Sequence, residues 1–334
     1  MKVLVTGIAG FIGFHLANEL AKRGHNVVGI DNINNYYSTD LKVGRLHELG
    51  ISGDLKNGVC VKSEKYENLC FIKCDLTDKK LLEDIFAQNN FDKVCNLAAQ
   101  AGVRYSFENP EAYIESNIVG FSNIIALAHK FKIKHFVYAS SSSVYGNNHQ
   151  TPFKESDMVD NPQSIYAATK KSNELIANVY NAQMGLPTTG LRFFTVYGPW
   201  GRPDMAPFLF LSSIIENKPI KVFNNGDLSR DFSYIDDIVT GVIKIIENKP
   251  KGLIYNIGNS SPVKLMDFIS TIEKVANKEA IKIFAPMQQG DVYITYASTE
   301  LIERDYGFKP NTPLLYGITQ FYKWYCNFFR ITKP

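Results

Sequence analysis

The stretch Lys2-Val3-Leu4-Val5-Thr6-Gly7-Ile8-Ala9-Gly10-Phe11-Ile12-Gly13 decides how this chain is read. Val3-Leu4-Val5 is a short unbroken apolar run, as expected of a parallel strand buried on both faces. Gly7, Gly10 and Gly13 then recur at every third position. A helical pattern runs from Phe11 to Lys22 with Leu16 and Leu20 four apart, and Gly24 follows where a helix wants a left-handed residue. Val27-Val28-Gly29-Ile30-Asp31 reads as a second strand. Strand, glycine turn, helix and strand therefore fit in about 30 residues. In such a unit the glycines let backbone N–H groups approach a pyrophosphate at the helix N-terminus. A turn kept glycine-rich for backbone reasons alone is the plain alternative. Asp31, 24 residues past Gly7, tips the balance. An acid there accepts the adenosine ribose hydroxyls and repels a 2′-phosphate, so NAD is expected over NADP.

The alternation continues outward. Residues 71–75 read as a strand, 79–88 as a helix, 93–98 as a strand and 114–132 as a long helix. Residues 135–139 form a strand that ends in Ser140-Ser141-Ser142-Ser143. A helix over 166–183 stops at Gly185, and 188–194 is again a strand. Strands alternating with helices predict an α/β fold with a doubly wound parallel sheet. Residues 32–70 break the rhythm with an excursion rich in Asn, Tyr, Lys and Glu that takes no assignable structure. Beyond about residue 196 come Gly198, Pro199, Gly201, Pro203 and Pro207, and the strands shorten. The expected division is a nucleotide-binding domain over 1–190 and a smaller mixed domain over 191–334, interleaved with the first.

Composition narrows the class. Of 334 residues, 45% are hydrophobic and 21% charged, which is globular and excludes a disordered chain. The 36 basic and 33 acidic residues leave +3, too even to argue for nucleic acid or an anionic membrane. No apolar run approaches the roughly 18 residues of a spanning helix. Cys60, Cys70, Cys74, Cys95 and Cys326 are scattered without a C-x-x-C pair, which reads as free thiols, a reducing compartment and no metal site. The first apolar run is broken by its glycines and followed by Asn18, Glu19, Lys22 and Arg23. It does not read as a signal peptide, and a cytoplasmic location is expected. The aromatic run Phe321 to Tyr325 reads as a packed terminal helix. His15, His129 and His149 are isolated and take no role.

Two further features carry chemistry. Tyr166 and Lys170 stand at i,i+4, on one helix face. An ammonium beside a phenol favours the phenolate and makes Tyr166 a usable base near neutral pH. The pattern is common, and a solvated helix face would be the default reading without the dinucleotide unit upstream. The serine run ends a strand, at the edge of the sheet that faces the ligand crevice in such folds. A hydroxyl there can hydrogen-bond a substrate oxygen.

Together these residues resemble the extended short-chain dehydrogenase/reductase superfamily. The resemblance rests on Thr6 to Gly13, Asn96-Leu97-Ala98-Ala99-Gln100-Ala101-Gly102, Ser140 to Gly146, and Tyr166 with Lys170. Within it the chain is similar to NAD-dependent sugar-nucleotide epimerases. Asp31 to Tyr37 and Phe194 to Met205 resemble the corresponding segments of UDP-glucuronate 4-epimerases.

The resemblance implies a Rossmann domain, a bound NAD, a UDP-sugar partner and a homodimer, with neither nucleic acid nor membrane as partner. It implies Tyr166, Lys170 and Ser141 as catalytic residues. It places Gly7, Gly10, Phe11, Ile12, Gly13, Asp31, Asn32, Asp75, Leu76, Leu97, Ala98, Ala99, Gln100, Asn117 and Ser140 along the cofactor, together with Tyr166 and Lys170. On the substrate it places Ser141, Ser142, Ser143, Thr195, Arg202, Arg230 and Asp291. Ser142 and Ser143 stand where related 4,6-dehydratases carry Asp-Glu, and that absence argues for an epimerase. Thr195 stands where UDP-galactose epimerases carry Asn, and Gln288 where they carry Arg. A short hydroxyl at Thr195 with Arg202 nearby suits a C6 carboxylate. The expected activity is C4 epimerisation of UDP-glucuronate to UDP-galacturonate. A UDP-GlcNAc or UDP-glucose 4-epimerase, a UDP-glucuronate decarboxylase and a nucleotide-sensing regulator are the alternatives. For Arg230 a structural ion-pair cluster with Asp231, Asp236 and Asp237 competes, and for Arg202 a loop brace.

Overall fold

The computed structural model describes residues 1–287 and 293–331. The chain begins β1 (Lys2–Thr6), α1 (Phe11–Lys22), β2 (Asn26–Asp31), α2 (Thr39–Glu48), β3 (Cys60–Lys62), β4 (Leu69–Lys73), α3 (Lys79–Gln88) and β5 (Lys93–Asn96). It continues through α4 (Tyr105–Glu108), α5 (Pro110–Tyr113), a π-helical stretch Ile114–Gly120, α6 (Phe121–Lys130) and β6 (His135–Ser141). A 3₁₀ turn Ser142–Tyr145 leads to α7 (Ile165–Met184), β7 (Thr188–Phe193), β8 (Thr195–Tyr197), α8 (Ala206–Ile215) and β9 (Ile220–Phe223). Then come β10 (Ser229–Arg230), β11 (Phe232–Tyr234), α9 (Ile235–Glu247), β12 (Ile254–Ile257), β13 (Val263–Lys264) and α10 (Leu265–Ala276). The chain closes with β14 (Lys282–Ala285), β15 (Ile294–Thr295), α11 (Glu300–Tyr306) and α12 (Leu314–Phe328).

The main sheet has eight strands in the order β12-β7-β6-β5-β1-β2-β4-β3. Strand β1 pairs parallel with β2 on one side and β5 on the other. The β2–β4 and β5–β6 pairs are also parallel, and β3 closes one edge antiparallel to β4. Val3, Leu4 and Val5 are fully buried, as a two-faced parallel strand requires. The chain leaves β4 on one side of β1 and returns as β5 on the other. Strand order reverses at that point, and ligands in such sheets bind at the carboxyl ends beside the reversal. Thr6, Asp31, Asn96 and Ser141 all end their strands there.

The expected α/β doubly wound sheet is observed. Helix α3 spans the expected residues, and β4 lies two residues earlier than read. The expected helix over 114–132 starts earlier and is broken. Asn109 caps α5 by accepting from Ala112 N–H, Pro110 fills the first helical turn, and the π-helical stretch follows. Residues 32–70 contain α2, β3 and the start of β4.

The chain divides into two compact units. The first comprises Met1–Gly146, Met158–Arg192 and Val239–Tyr255; the second comprises Asn147–Asp157, Phe193–Ile238 and Asn256–Pro334. In the second unit β8 pairs parallel with β11, β9 with β14, and β13-β10-β15 form a three-stranded sheet. Its hub is Asp231, fully buried, whose carboxylate accepts from the N–H groups of Asn259, Ser260 and Ala297 and from the Ser233 hydroxyl.

Candidate active site

In the first unit the glycine turn is shaped by contact with its neighbours. Gly7 has φ +73°, and a Cβ on it would lie 2.8 Å from the Ala98 nitrogen. A Cβ on Gly13 would lie 2.1 Å from the Gly7 carbonyl oxygen. Helix α1 therefore starts hard against the turn that follows β1. Gly10, at its N-cap, provides no side-chain cap, and the first turn holds no acid. Helices α2, α3 and α7 are capped by Ser38, Asp78 and Ser164. An N-terminus left without cap or acid, at the carboxyl edge of a parallel sheet, fits a pyrophosphate. Phe11 is buried and Ile12 half-buried along this turn.

The loop after β5 is fixed from two sides. Thr6 Oγ1 donates to Asn96 Oδ1 at 2.6 Å and accepts from Ala98 N–H at 3.0 Å. Asn117, in the π-helical stretch, accepts from Gln100 N–H at 2.8 Å and donates to the Gln100 carbonyl and to Thr169 Oγ1. Its own carbonyl accepts from Asn173 Nδ2 at 2.6 Å. The side chain of Asn117 is thus engaged by protein and holds Gln100, while Thr6 holds Ala98. A π-helical turn frees carbonyls for such bonds.

At the carboxyl end of β2, Asp31 accepts from Ala9 N–H at 3.1 Å and Ile33 N–H at 2.8 Å. Burial pushes its carboxyl up, opposed by Lys42, by these two N–H groups and by Arg45. Asn32 Nδ2 donates to Asp75 Oδ2 at 2.7 Å, and Thr77 donates twice to Asp75 Oδ1. Burial of Asp75 works against these bonds, which hold its carboxyl below the usual range. Leu76 is buried; a Cβ on Gly120 would lie 2.9 Å from its Cβ.

Two of the catalytic candidates, Ser141 and Lys170, meet the end of β6, and Tyr166 lies one turn before Lys170 on α7. Ser141 ends that strand, with its Oγ 3.1 Å from Ser143 Oγ and accepting from Ser143 N–H. Ser142 and Ser143 are half-buried in the 3₁₀ turn. Tyr166 and Lys170 lie in the first turns of α7. The Tyr166 ring packs edge-on against Tyr113 at 6.1 Å. Lys170 is 3% exposed and donates from Nζ to the Ala139 carbonyl at 2.9 Å. Burial pulls its ammonium down to about 8, with Glu174 acting the other way.

Behind this group lies a network that motif reading missed. Glu174 is one helical turn beyond Lys170. Arg192 grips it with two bonds of 2.9 Å and donates to the Tyr145 hydroxyl at 3.0 Å. Ser140 Oγ donates to Glu174 Oε1 at 2.6 Å. The Ser140 hydroxyl is therefore turned into this network, whereas the resemblance placed Ser140 on the cofactor. The i,i+4 spacing of Lys170 and Glu174 was the available signal.

The second unit carries the remaining candidates. Thr195 donates its N–H to the Asp231 carbonyl at 3.2 Å and pairs in register with Phe232. Arg202 donates to both oxygens of Asp204, with Nε at 3.1 Å from Oδ1. Arg230 donates from Nη1 to the carbonyls of Ser229 and Tyr293. Asp237 accepts from the N–H groups of Asn311 and Thr312. Asp231 and Asp237 thus hold backbone N–H groups. Asp291 and Gln288 lie outside the described residues.

A glycine turn against an uncapped helix, an acid closing the next strand and a Ser–Tyr–Lys group at the sheet edge define a dinucleotide-binding oxidoreductase scaffold. Residues 3–258 match the family described as NAD dependent epimerase/dehydratase. The chain belongs to that family. It is 47% identical to Protein CapI of Staphylococcus aureus, over 99% of this chain and all of that one. It is 43% identical to UDP-glucuronate 4-epimerase 1 of Arabidopsis thaliana, over 98% of this chain and 77% of that one. The crystal structure of UDP-glucuronic acid 4-epimerase from Bacillus cereus with UDP-glucuronic acid and NAD matches with TM-score 0.88 and 32% identity. That match covers 98% of this chain and 100% of the other.

Proposed function

We propose that the protein is an NAD-dependent UDP-glucuronate 4-epimerase that interconverts UDP-glucuronate and UDP-galacturonate through a 4-keto sugar. The observation that carries this reading is the Ser141, Tyr166 and Lys170 group at the end of β6, in a chain similar throughout to enzymes of that activity. Tyr166, as phenolate, takes the proton of the sugar 4-hydroxyl, and Ser141 shares the hydrogen bond. Lys170 supplies the positive charge that favours the phenolate. The chemistry a bound NAD contributes is removal of the C4 hydride and its return to the opposite face. Tyr166 then gives the proton back. Gly7, Gly10 and Gly13 would hold the pyrophosphate, Asp31 the adenosine ribose and Lys170 the nicotinamide ribose.

The 4-ketouronate is a β-keto acid and is prone to lose CO₂, so its carboxylate must be held out of the cleavage alignment. We assign Thr195 to that task. The Asp204 fork on Arg202 supports a loop-ordering role for the guanidinium, acting through the segment that carries it. Arg230 and, by resemblance, Asp291 are assigned to the UDP. We retain residues 1–190 as the NAD-binding domain and 191–334 as the UDP-sugar-binding domain interleaved with it, residues 147–157 going with the second compact unit and 239–255 with the first. Ser142 and Ser143 offer no carboxylate pair for dehydration, which sets the dehydratase chemistry aside.

We further propose a homodimer. Ile114 and Val119 in the π-helical stretch and Leu175 and Val179 on α7 are exposed apolar residues of the first unit, suited to a second copy of the chain. The free thiols suit a reducing compartment, and we place the enzyme in the cytoplasm. Among the described residues no helix is long and apolar enough to cross a membrane.

The test is incubation with UDP-glucuronate without added cofactor, followed by identification of the sugar. UDP-galacturonate is expected; a UDP-pentose, or turnover of UDP-glucose alone, overturns the reading. Tyr166→Phe should lower turnover by about 10²–10⁴-fold and leave bound NAD unchanged. A variant within tenfold of wild type removes Tyr166 from the base role.

A further inference from the structure

The excursion after β2 brings two buried cations to the turn that also holds the acid expected to select the cofactor. Lys42 and Arg45 stand three apart on α2, and both are buried. Lys42 Nζ donates to the carbonyl and Oδ1 of Asn34 at 2.7 and 2.6 Å. Arg45, with no exposed surface, donates from Nη1 to the Ala9 carbonyl at 2.8 Å and the Tyr37 hydroxyl at 2.7 Å. The Tyr37 ring lies 4.8 Å from Lys42 Nζ and 5.5 Å from the Arg45 guanidinium carbon. Ala9 joins the two sides, because its N–H donates to Asp31 while its carbonyl accepts from Arg45. Ile33, which donates its N–H to Asp31, has φ +54°. That conformation is rare for a β-branched residue, and here the backbone is bent to face the carboxylate.

Buried cations need a counter-charge, and the Asp31 carboxylate feels both of these. A ribose 2′-phosphate would bring more negative charge and three acceptor oxygens to the same place. We propose that Lys42 and Arg45 form a latent anion site at the adenosine ribose, filled by the Asp31 carboxylate in this chain and opened to a 2′-phosphate when that carboxylate is removed. The proposal rests on the NAD-binding reading above and goes beyond it. NADP is excluded by one carboxylate, and the positive charge to hold it is already present. No arginine has to be added to invert the preference.

The experiment equilibrates purified protein with equal concentrations of NAD and NADP, without sugar nucleotide. Bound cofactor is then released by denaturation and quantified by chromatography. Wild type should hold NAD in large excess. Asp31→Ser should move the NADP:NAD ratio toward NADP by 100-fold or more. Adding Lys42→Ala to that variant should lose at least tenfold of the gain. A folded Asp31→Ser variant whose ratio stays within threefold of wild type overturns the proposal, as does a gain that survives Lys42→Ala. Should Asp31→Ser not fold, Asp31→Asn keeps an acceptor for one backbone N–H and is read the same way. Failure of both to fold makes the carboxylate an obligatory structural charge and overturns the proposal too. Wild type that holds neither cofactor overturns the NAD reading itself, a distinct result.

Discussion

At Lys170 burial and charge oppose one another. Burial favours the neutral amine, and Glu174 one turn away favours the ammonium, leaving it at about 8 against an ordinary 10.5. Below that pH the ammonium supports the Tyr166 phenolate; above it the support is lost. The kcat/KM profile should therefore fall on its alkaline side with an apparent midpoint near 8. Glu174→Gln removes the charge that holds Lys170 up, so the alkaline limb should move to lower pH by roughly one unit. The substitution also leaves Arg192 without its buried partner, which costs about 3–5 kcal/mol of stability. A structural role alone would lower the melting temperature and leave the limb in place. A folded variant with an unmoved limb removes Glu174 from the tuning role.

At the scale of elements, α1 shows why its glycines are placed as they are. A Cβ on Gly13 meets backbone at 2.1 Å, whereas one on Gly24 meets nothing within 4 Å despite φ +80°. Gly13→Ala must push α1 away from the Gly7–Ile8 turn, at a cost of about 1–3 kcal/mol or more, and the pyrophosphate cradle should open with it. Gly24→Ala should cost only about 1 kcal/mol of left-handed strain. NAD content after desalting separates them: lost in the first, retained in the second. A Gly13→Ala protein with full NAD content would show that the cradle tolerates the shift. The same element marks what the sequence made legible. A strand, turn and helix whose apolar residues face one sheet write their period into the chain, so α1, α3 and α7 are legible in it. Helix α2 is not, because two of its four buried residues are Lys42 and Arg45, held by Asn34, Ala9 and Tyr37. A stripe half made of cations has no hydrophobic period to detect. The pairing of Arg192 with Glu174 and the turning of Ser140 into it were equally silent, since they depend on β6, β7 and α7 meeting in space. The Arg202 fork has a local partner in Asp204, two residues on, a spacing the sequence displays.

For the molecule as a whole, acid stability should turn on a residue that takes no part in the chemistry. His135 starts β6 with no exposed surface. Its Nε2 lies 2.9 Å from Thr189 Oγ1, and the Thr189 hydroxyl donates to the Gly252 carbonyl. The hydroxyl proton is therefore spent, and the imidazole must be the donor at Nε2. Its Nδ1 is left buried without a partner. A second proton would have to sit there, in a desolvated place near Lys93, so burial and then Lys93 pull the group from 6.5 to about 3. The unfolded chain takes up that proton near 6.5, while the folded chain refuses it until about 3. Stability is thus lost as pH falls through this window, by up to about 1.4 kcal/mol per pH unit. His135→Gln keeps a donor for Thr189 and removes the titration. Between pH 7 and pH 4.5 the wild type should lose about 2 kcal/mol more than the variant, whatever the variant costs at pH 7. Denaturant midpoints of both proteins at the two pH values measure the difference. Equal losses would mean that the proton finds Nδ1 in the folded chain, by an opening of β6 against β7 that the buried packing of His135 argues against.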